Sequence, residues 1–118
     1  MDEKQRKLLE DFNQAFNEHD VAGMMRLMTG DCIFENTYPA PDGTRYTGAE
    51  AVRKFWESFF AANPQARIEI VEMFGDGERL CQRWIYHWGG QSSGHVSGVD
   101  VFHLRGDRIS HKLSYVKG

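Results

Sequence analysis

The stretch Val96-Ser97-Gly98-Val99-Asp100-Val101-Phe102-His103-Leu104 decides how this chain is read. Its β-branched and aromatic residues predict a buried strand. Asp100 stands in the middle of it. Aspartate is depleted in strands, and an ionised carboxylate is costly to bury without a partner. Either a structural partner neutralises Asp100, or Asp100 lines a cavity and does chemistry there. Alternation puts Asp100 on one face with Val96, Gly98, Phe102 and Leu104, while His95, Ser97 and His103 point away. Gly98 beside it predicts open space on the Asp100 face.

Outward from this stretch the chain reads as helices first and strands afterwards. Leu8, Leu9, Phe12, Ala15 and Phe16 recur at helical spacing. Asn17-Glu18-His19-Asp20 breaks that helix, and Asp20 is placed to cap a short second one that Thr29-Gly30 ends. Asp31 to Thr37 alternates as a strand, with Cys32, Phe34 and Asn36 on one face. The loop Tyr38-Pro39-Ala40-Pro41-Asp42-Gly43-Thr44 follows. Thr47-Gly48-Ala49-Glu50 reads as a capping box for a third helix, striped with Val52, Phe55, Trp56, Phe59 and Phe60. Beyond Asn63-Pro64 the period becomes two. Strands are predicted over 67–74, 79–89, 95–105 and 108–116, joined by Gly75-Asp76-Gly77, by the flexible connection 89–94 and by Gly106-Asp107. This is an α+β pattern with an antiparallel meander.

A length of 118 residues predicts a single domain spanning 1–118 with room for one core and one pocket. The net charge of −3 is dispersed along the chain, which argues against nucleic acid and against an anionic membrane as partners. Cys32 and Cys81 lack CxxC spacing and read as small buried hydrophobes. The five histidines show no HxxxH or HExxH spacing, so no metal is expected, and no phosphate-binding or GxSxG motif occurs. No cofactor is expected. The polar N-terminus has no following apolar region, so a cytoplasmic location is expected.

Three stretches carry a resemblance. They are Glu18-His19-Asp20 leading to Met24-Met25-Arg26-Leu27-Met28; Asp31-Cys32-Ile33-Phe34-Glu35-Asn36 running through the Pro/Gly loop to Gly48-Ala49-Glu50-Ala51-Val52-Arg53-Lys54-Phe55; and Gly98 to Ile109. Together they resemble the SnoaL-like branch of the NTF2-like superfamily, whose members include polyketide cyclases and ketosteroid isomerases. The resemblance implies a cone: N-terminal helices packed in a strongly curved, mainly antiparallel sheet that encloses an apolar pocket. It also implies a homodimer that pairs through the sheet. Asp100 falls where ketosteroid isomerases place an acid that donates to the substrate oxyanion, and where SnoaL-type cyclases place their acid/base aspartate. Asn36 stands where those isomerases carry their general base, and Phe12 where they carry a tyrosine. A carboxamide cannot abstract a proton at neutral pH, and Phe12 has no hydroxyl, so isomerisation by that mechanism is not expected.

Asp100 and His111 are the expected catalytic residues. Burial among apolar side chains favours the uncharged carboxyl, which would make Asp100 a proton donor near neutral pH. His111 alternates with Ile109, Leu113 and Tyr115, and could neighbour Asp100 or Phe102 across the hairpin as a proton relay. The expected ligand contacts are Phe12, Phe16, Asn36, Tyr38, Tyr46, Phe55, Phe59, Trp84 and Phe102. Asn36 either orients a ligand oxygen or caps loop backbone. Tyr38 and Tyr46 flank the mouth. Trp84, Tyr86 and Trp88, in stripe with Gln82, form either core or dimer surface, or else a flat slot for a planar ligand. The leading expectation is a cofactor-independent acid/base enzyme of cyclase, isomerase or dehydratase type. Its substrate would be a small apolar carbonyl compound, with Asp100 as proton carrier. The alternatives are a non-catalytic binder of a small apolar ligand and an association module.

Overall fold

The computed structural model of the protein describes residues 1–90 and 93–118. Helix α1, Glu3–Asn17, opens on a capping box in which Asp2 accepts from the Gln5 amide at 2.8 Å and Gln5 returns a bond to the Asp2 backbone. Its buried stripe of Leu8, Leu9, Phe12, Ala15 and Phe16 is the one the spacing predicts, with Asn13 added. His19 turns the chain at φ 56°, stacks its ring on Phe60 at 4.3 Å and bonds the Ala66 carbonyl at 2.8 Å. Helix α2, Val21–Arg26, is capped by Asp20, whose carboxylate accepts from the Gly23 amide at 2.9 Å. It ends earlier than the sequence suggests: Thr29 and Gly30 already belong to strand β1, Met28–Glu35.

Strand β2, Arg45–Thr47, is too short to show a period, and periodicity misses it. Helix α3, Ala49–Ala62, follows. Its N-cap is Gly48 at φ 92° with no side-chain cap, so the expected capping box at Thr47 does not form. Strands β3 (Arg67–Asp76), β4 (Arg79–His87), β5 (His95–Arg105) and β6 (Arg108–Val116) make the meander, with β5 and β6 bounded where alternation predicts. Of the predicted connection 89–94, positions 91 and 92 lie outside the described residues.

The six strands form one open sheet in the order β2-β1-β6-β5-β4-β3, antiparallel except where β1 lies parallel to β6. It is the curved α+β cone that was expected, with the helices against its concave face. Leu9, Phe12, Met24, Val52 and Trp56 from the helices meet Cys32, Phe34, Leu80, Phe102 and Ile109 from the sheet. At the free edge, Asn17 imitates a neighbouring strand. It accepts from the Ile68 amide at 2.7 Å and donates to the Ile68 carbonyl at 2.9 Å.

One irregularity governs the site. Leu104 pairs with Ile109 but His103 pairs with His111, so Ser110 is an extra residue in β6. The bulge shifts the phase of the strand. Beyond it Lys112 lies opposite Phe102, and Ser114 lies opposite Asp100. Directly opposed residues share a face, so Lys112 and Ser114 turn inward with Asp100, and His111 turns outward with His103.

Candidate functional site

A cavity of about 300 Å³ opens between α3, α1 and the concave face of the sheet. Its walls are aromatic: Phe16, Phe55, Trp56 and Phe59 from the helices, Trp84 and Tyr86 from β4. The β4 stripe therefore faces inward, while Trp88 stands at its exposed end. Gly98 explains how Trp84 fits. A Cβ there would stand 2.5 Å from the indole, so the space predicted beside Asp100 is filled by that ring. Burial pushes the Tyr86 hydroxyl up, which keeps it a neutral donor. The buried indole N–H groups of Trp56 and Trp84 have no acceptor among the described residues.

Asp100, 0 % exposed, lies on the cavity wall. Among the described residues it is neither turned to solvent nor held by backbone amides, and three side chains donate to it: Ser114 Oγ to Oδ1 at 2.6 Å, Lys112 Nζ to Oδ1 at 3.3 Å and Gln82 Nε2 to Oδ2 at 2.9 Å. Both alternatives posed by the sequence hold at once, since Asp100 is partnered and also borders a void. Lone burial, the reason given above for an uncharged carboxyl, is corrected by this set of donors, which is the complement of a carboxylate.

Lys112 is buried too. Its ammonium donates to Asp100 and, at 3.1 Å, to Ser114 Oγ. It also lies over the rings of Phe34 at 4.8 Å and Trp56 at 5.4 Å. An ammonium has three N–H groups, so one is not taken by these two bonds. Lys112 borders the cavity.

The cavity brings together Asp100, Phe16, Asn36, Tyr38, Phe55, Phe59 and Trp84 of the expected residues, and leaves out four. His111 lies on the outer face, its ring 4.7 Å from His103 and its Nδ1 3.0 Å from Ser110 Oγ, so the expected Asp100–His111 pair does not form. Phe12 and Phe102 meet edge to face at 6.2 Å in the core, below the cavity. Tyr46 packs behind the wall, 4.9 Å from Phe55 and 6.1 Å from Phe34. Tyr38 is 78 % exposed at the mouth. Asn36 turns its Oδ1 to the loop, accepting from the Thr44 amide at 2.7 Å and the Tyr38 amide at 3.3 Å. Only its NH2 is left for a ligand.

Lys112, Ser114 and Gln82 were missed as site residues. A lysine in a terminal strand reads as solvated, and the Ser110 bulge hides its phase. Gln82 was visible as the polar member of an aromatic stripe, which is the signal that could have found it. Among the described residues no group of His, Cys, Asp and Glu is arranged to hold a metal ion, and no helix is long and apolar enough to cross a membrane.

Residues 9–112 match the sequence profile of the SnoaL-like domain. The chain belongs to this family. An NTF2-like protein of unknown function from Mesorhizobium loti is 35 % identical over 98 % of this chain and 93 % of its own, with a TM-score of 0.84. Two more distant structures share the fold of this SnoaL-like protein. A Xanthomonas campestris protein provisionally described as a polyketide cyclase is 16 % identical over 97 % of this chain and 90 % of its own, with a TM-score of 0.80. A Catenulispora acidiphila protein with a ketosteroid isomerase-like fold, solved with trimethylamine, is 15 % identical over 92 % and 83 %, with a TM-score of 0.81. No curated protein matches the chain.

Proposed function

We propose that this SnoaL-like protein is a cofactor-independent acid/base enzyme acting on a small apolar carbonyl compound, of cyclase, isomerase or dehydratase type. Asp100 carries the proton, and Lys112 holds the oxygen on which charge develops. The observation that carries the reading is a buried carboxylate–ammonium pair on the wall of an apolar cavity. In the first step Asp100 removes a hydrogen from the carbon beside the carbonyl. The C–H electron pair becomes a C=C bond, and the carbonyl π pair moves to oxygen. Lys112 then exchanges its pairing with Asp100 for pairing with the enolate, in a site where water does not dilute the interaction. Returning the proton to a different carbon isomerises the ligand, and attack of the enolate on a second carbonyl closes a ring. Two donors at the cavity wall, the Asn36 amide and the Tyr86 hydroxyl, suit the carbonyl oxygen of such a ligand.

The test is hydrogen exchange at the α-carbon of a panel of cyclic ketones in heavy water, followed by proton NMR. Exchange above the protein-free rate is expected, and loss of that excess in Asp100→Asn by about 10²-fold or more. Binding of the same ketones with no excess exchange would overturn the catalytic reading in favour of a non-catalytic binder. That second reading is favoured by the three donors that already engage Asp100.

We also propose that two copies pair through the outer sheet face, where Ile33, Ile85, Val99, Val101 and Leu113 present half-buried apolar side chains. Sedimentation of Val101→Lys against the unaltered chain tests this. An unchanged mass would count against it.

A further inference from the structure

Behind Asp100, away from the cavity, runs a second line of buried polar groups. Gln82 pairs with Asp100 across the β4–β5 ladder and is 0 % exposed. Its Nε2 carries two hydrogens. One goes to Asp100 Oδ2 at 2.9 Å and the other to Asn13 Oδ1 at 3.1 Å. Asn13 answers through Nδ2 to Gln82 Oε1 at 2.8 Å. Asn13 is the polar member of the apolar stripe of α1 and is also buried. Two leucine-sized side chains would occupy these positions without burying any polar atom. The amides therefore need a reason, and the carboxylate at the end of their chain supplies one.

A reciprocal amide pair has two satisfied arrangements. In the arrangement observed, Gln82 offers an N–H to Asp100, which requires an acceptor there. With both amides turned over, Gln82 would offer its carbonyl, which requires a protonated Asp100. Turning one amide alone would bring like atoms together in a buried site, so the two turn as a unit.

We propose that Asn13 and Gln82 are positioning residues that hold Asp100 as a hydrogen-bond acceptor in the resting protein. If Asp100 is the proton carrier, as proposed above, the first proton then moves from ligand to Asp100 and not the reverse. The ligand class narrows accordingly to compounds whose reacting hydrogen is acidified by an adjacent carbonyl. A carboxylate has about four acceptor sites. Ser114 and Lys112 donate to Oδ1 and Gln82 to Oδ2, so the amide pair and the cavity-side groups hold different oxygens of Asp100. Among the described residues, the charged and titratable groups around Asp100 and its cavity are Lys112 from β6 and, on β4, Tyr86 on the cavity side and Cys81 on the opposite face. Burial and then the Asp100 charge push the Cys81 thiol up. α1 contributes only the neutral Asn13, and α3 contributes the Trp56 ring beside Lys112.

The experiment uses the ligand-free protein. Carbon-13 NMR follows the Asp100 carboxyl as pH is lowered, while nitrogen-15 spectra follow the side-chain amides of Gln82 and Asn13. Both amides are expected to shift at the midpoint of Asp100 itself. In Gln82→Met that midpoint rises by about one to two pH units, because a donor to the charged form is lost. Amide signals that ignore the Asp100 titration overturn the proposal, and so does an unmoved midpoint in folded Gln82→Met. Should Gln82→Met fail to fold, the coincidence of midpoints in the unaltered chain decides the matter. No substrate enters this measurement, so absence of ketone exchange would defeat the enzymatic reading and leave the positioning role separately testable.

Discussion

Two ion pairs in this molecule have opposite settings. Arg105 and Asp31 form a forked pair with contacts of 2.9 and 3.1 Å, and their side chains are 60 % and 66 % exposed. Lys112 and Asp100 share one contact of 3.3 Å, with side chains 9 % and 0 % exposed. Geometry alone would rank the first above the second. The forked hydrogen bond does hold the Asp31 carboxyl below its ordinary range. Burial reverses the order. Water replaces the partner of an exposed charge almost as well as the partner served it, and salt screens what remains. A buried charge that loses its partner has nothing to replace it. A carboxylate paired with a cation therefore counts for little at the exposed end of β5 and for much in the buried middle of that strand.

The comparison can be broken at several points. The largest effect is expected from Lys112→Met, which strands the Asp100 charge and should destabilise the fold by about 3–5 kcal/mol in chemical denaturation. The double variant Lys112→Met/Asp100→Leu should recover much of that loss. If it is no more stable than the single variant, the two charges are not coupled. Ser114→Ala removes the 2.6 Å bond to Asp100 and an acceptor of Lys112, and about 1–3 kcal/mol should be lost. A change within error would mean that water takes the place of the hydroxyl.

A smaller effect is expected on the outer face. Burial, then His111, then Arg79 hold His103 below the ordinary histidine value. The unfolded chain therefore binds this proton more readily than the folded one. The contribution of His103 is fully present above the ordinary value of about 6.5 and fades as pH falls through the lower folded value. Stability measured from pH 7.5 down to 5 should decline less steeply in His103→Gln, and an identical slope would assign the decline to other groups. The smallest effect is expected from Arg105→Ala, whose denaturation midpoint should stay close to that of the unaltered chain. A loss comparable to that of Lys112→Met would erase the distinction between the two pairs.

Much of the architecture was legible in the residues. Alternation over 95–105 and 108–116 placed β5 and β6, and the change of period after Pro64 separated helices from meander. Asp100 was legible as an anomaly because a carboxylate in an apolar strand breaks a physical rule. The partners of Asp100 were much harder to read. His111 seemed the better neighbour because simple alternation from Ile109 carries it inward. One bulged residue, Ser110, reverses that phase and presents Lys112 and Ser114 instead. Phe12 and Phe102 looked like cavity walls, yet they meet each other in the core, because periodicity reports a buried face and not the depth at which it is buried.

The amino-acid order alone settled where α1, α3 and the four strands of the meander lie, since those patterns arise from neighbours three or four positions away on a helix and two on a strand. The company of Asp100 was decided only once α1, β4 and β6 met. Asn13, Gln82, Lys112 and Ser114 are far from one another along the chain, apart from the last two. Their convergence depends on strand register, and register turns on a single inserted residue that no local pattern announces.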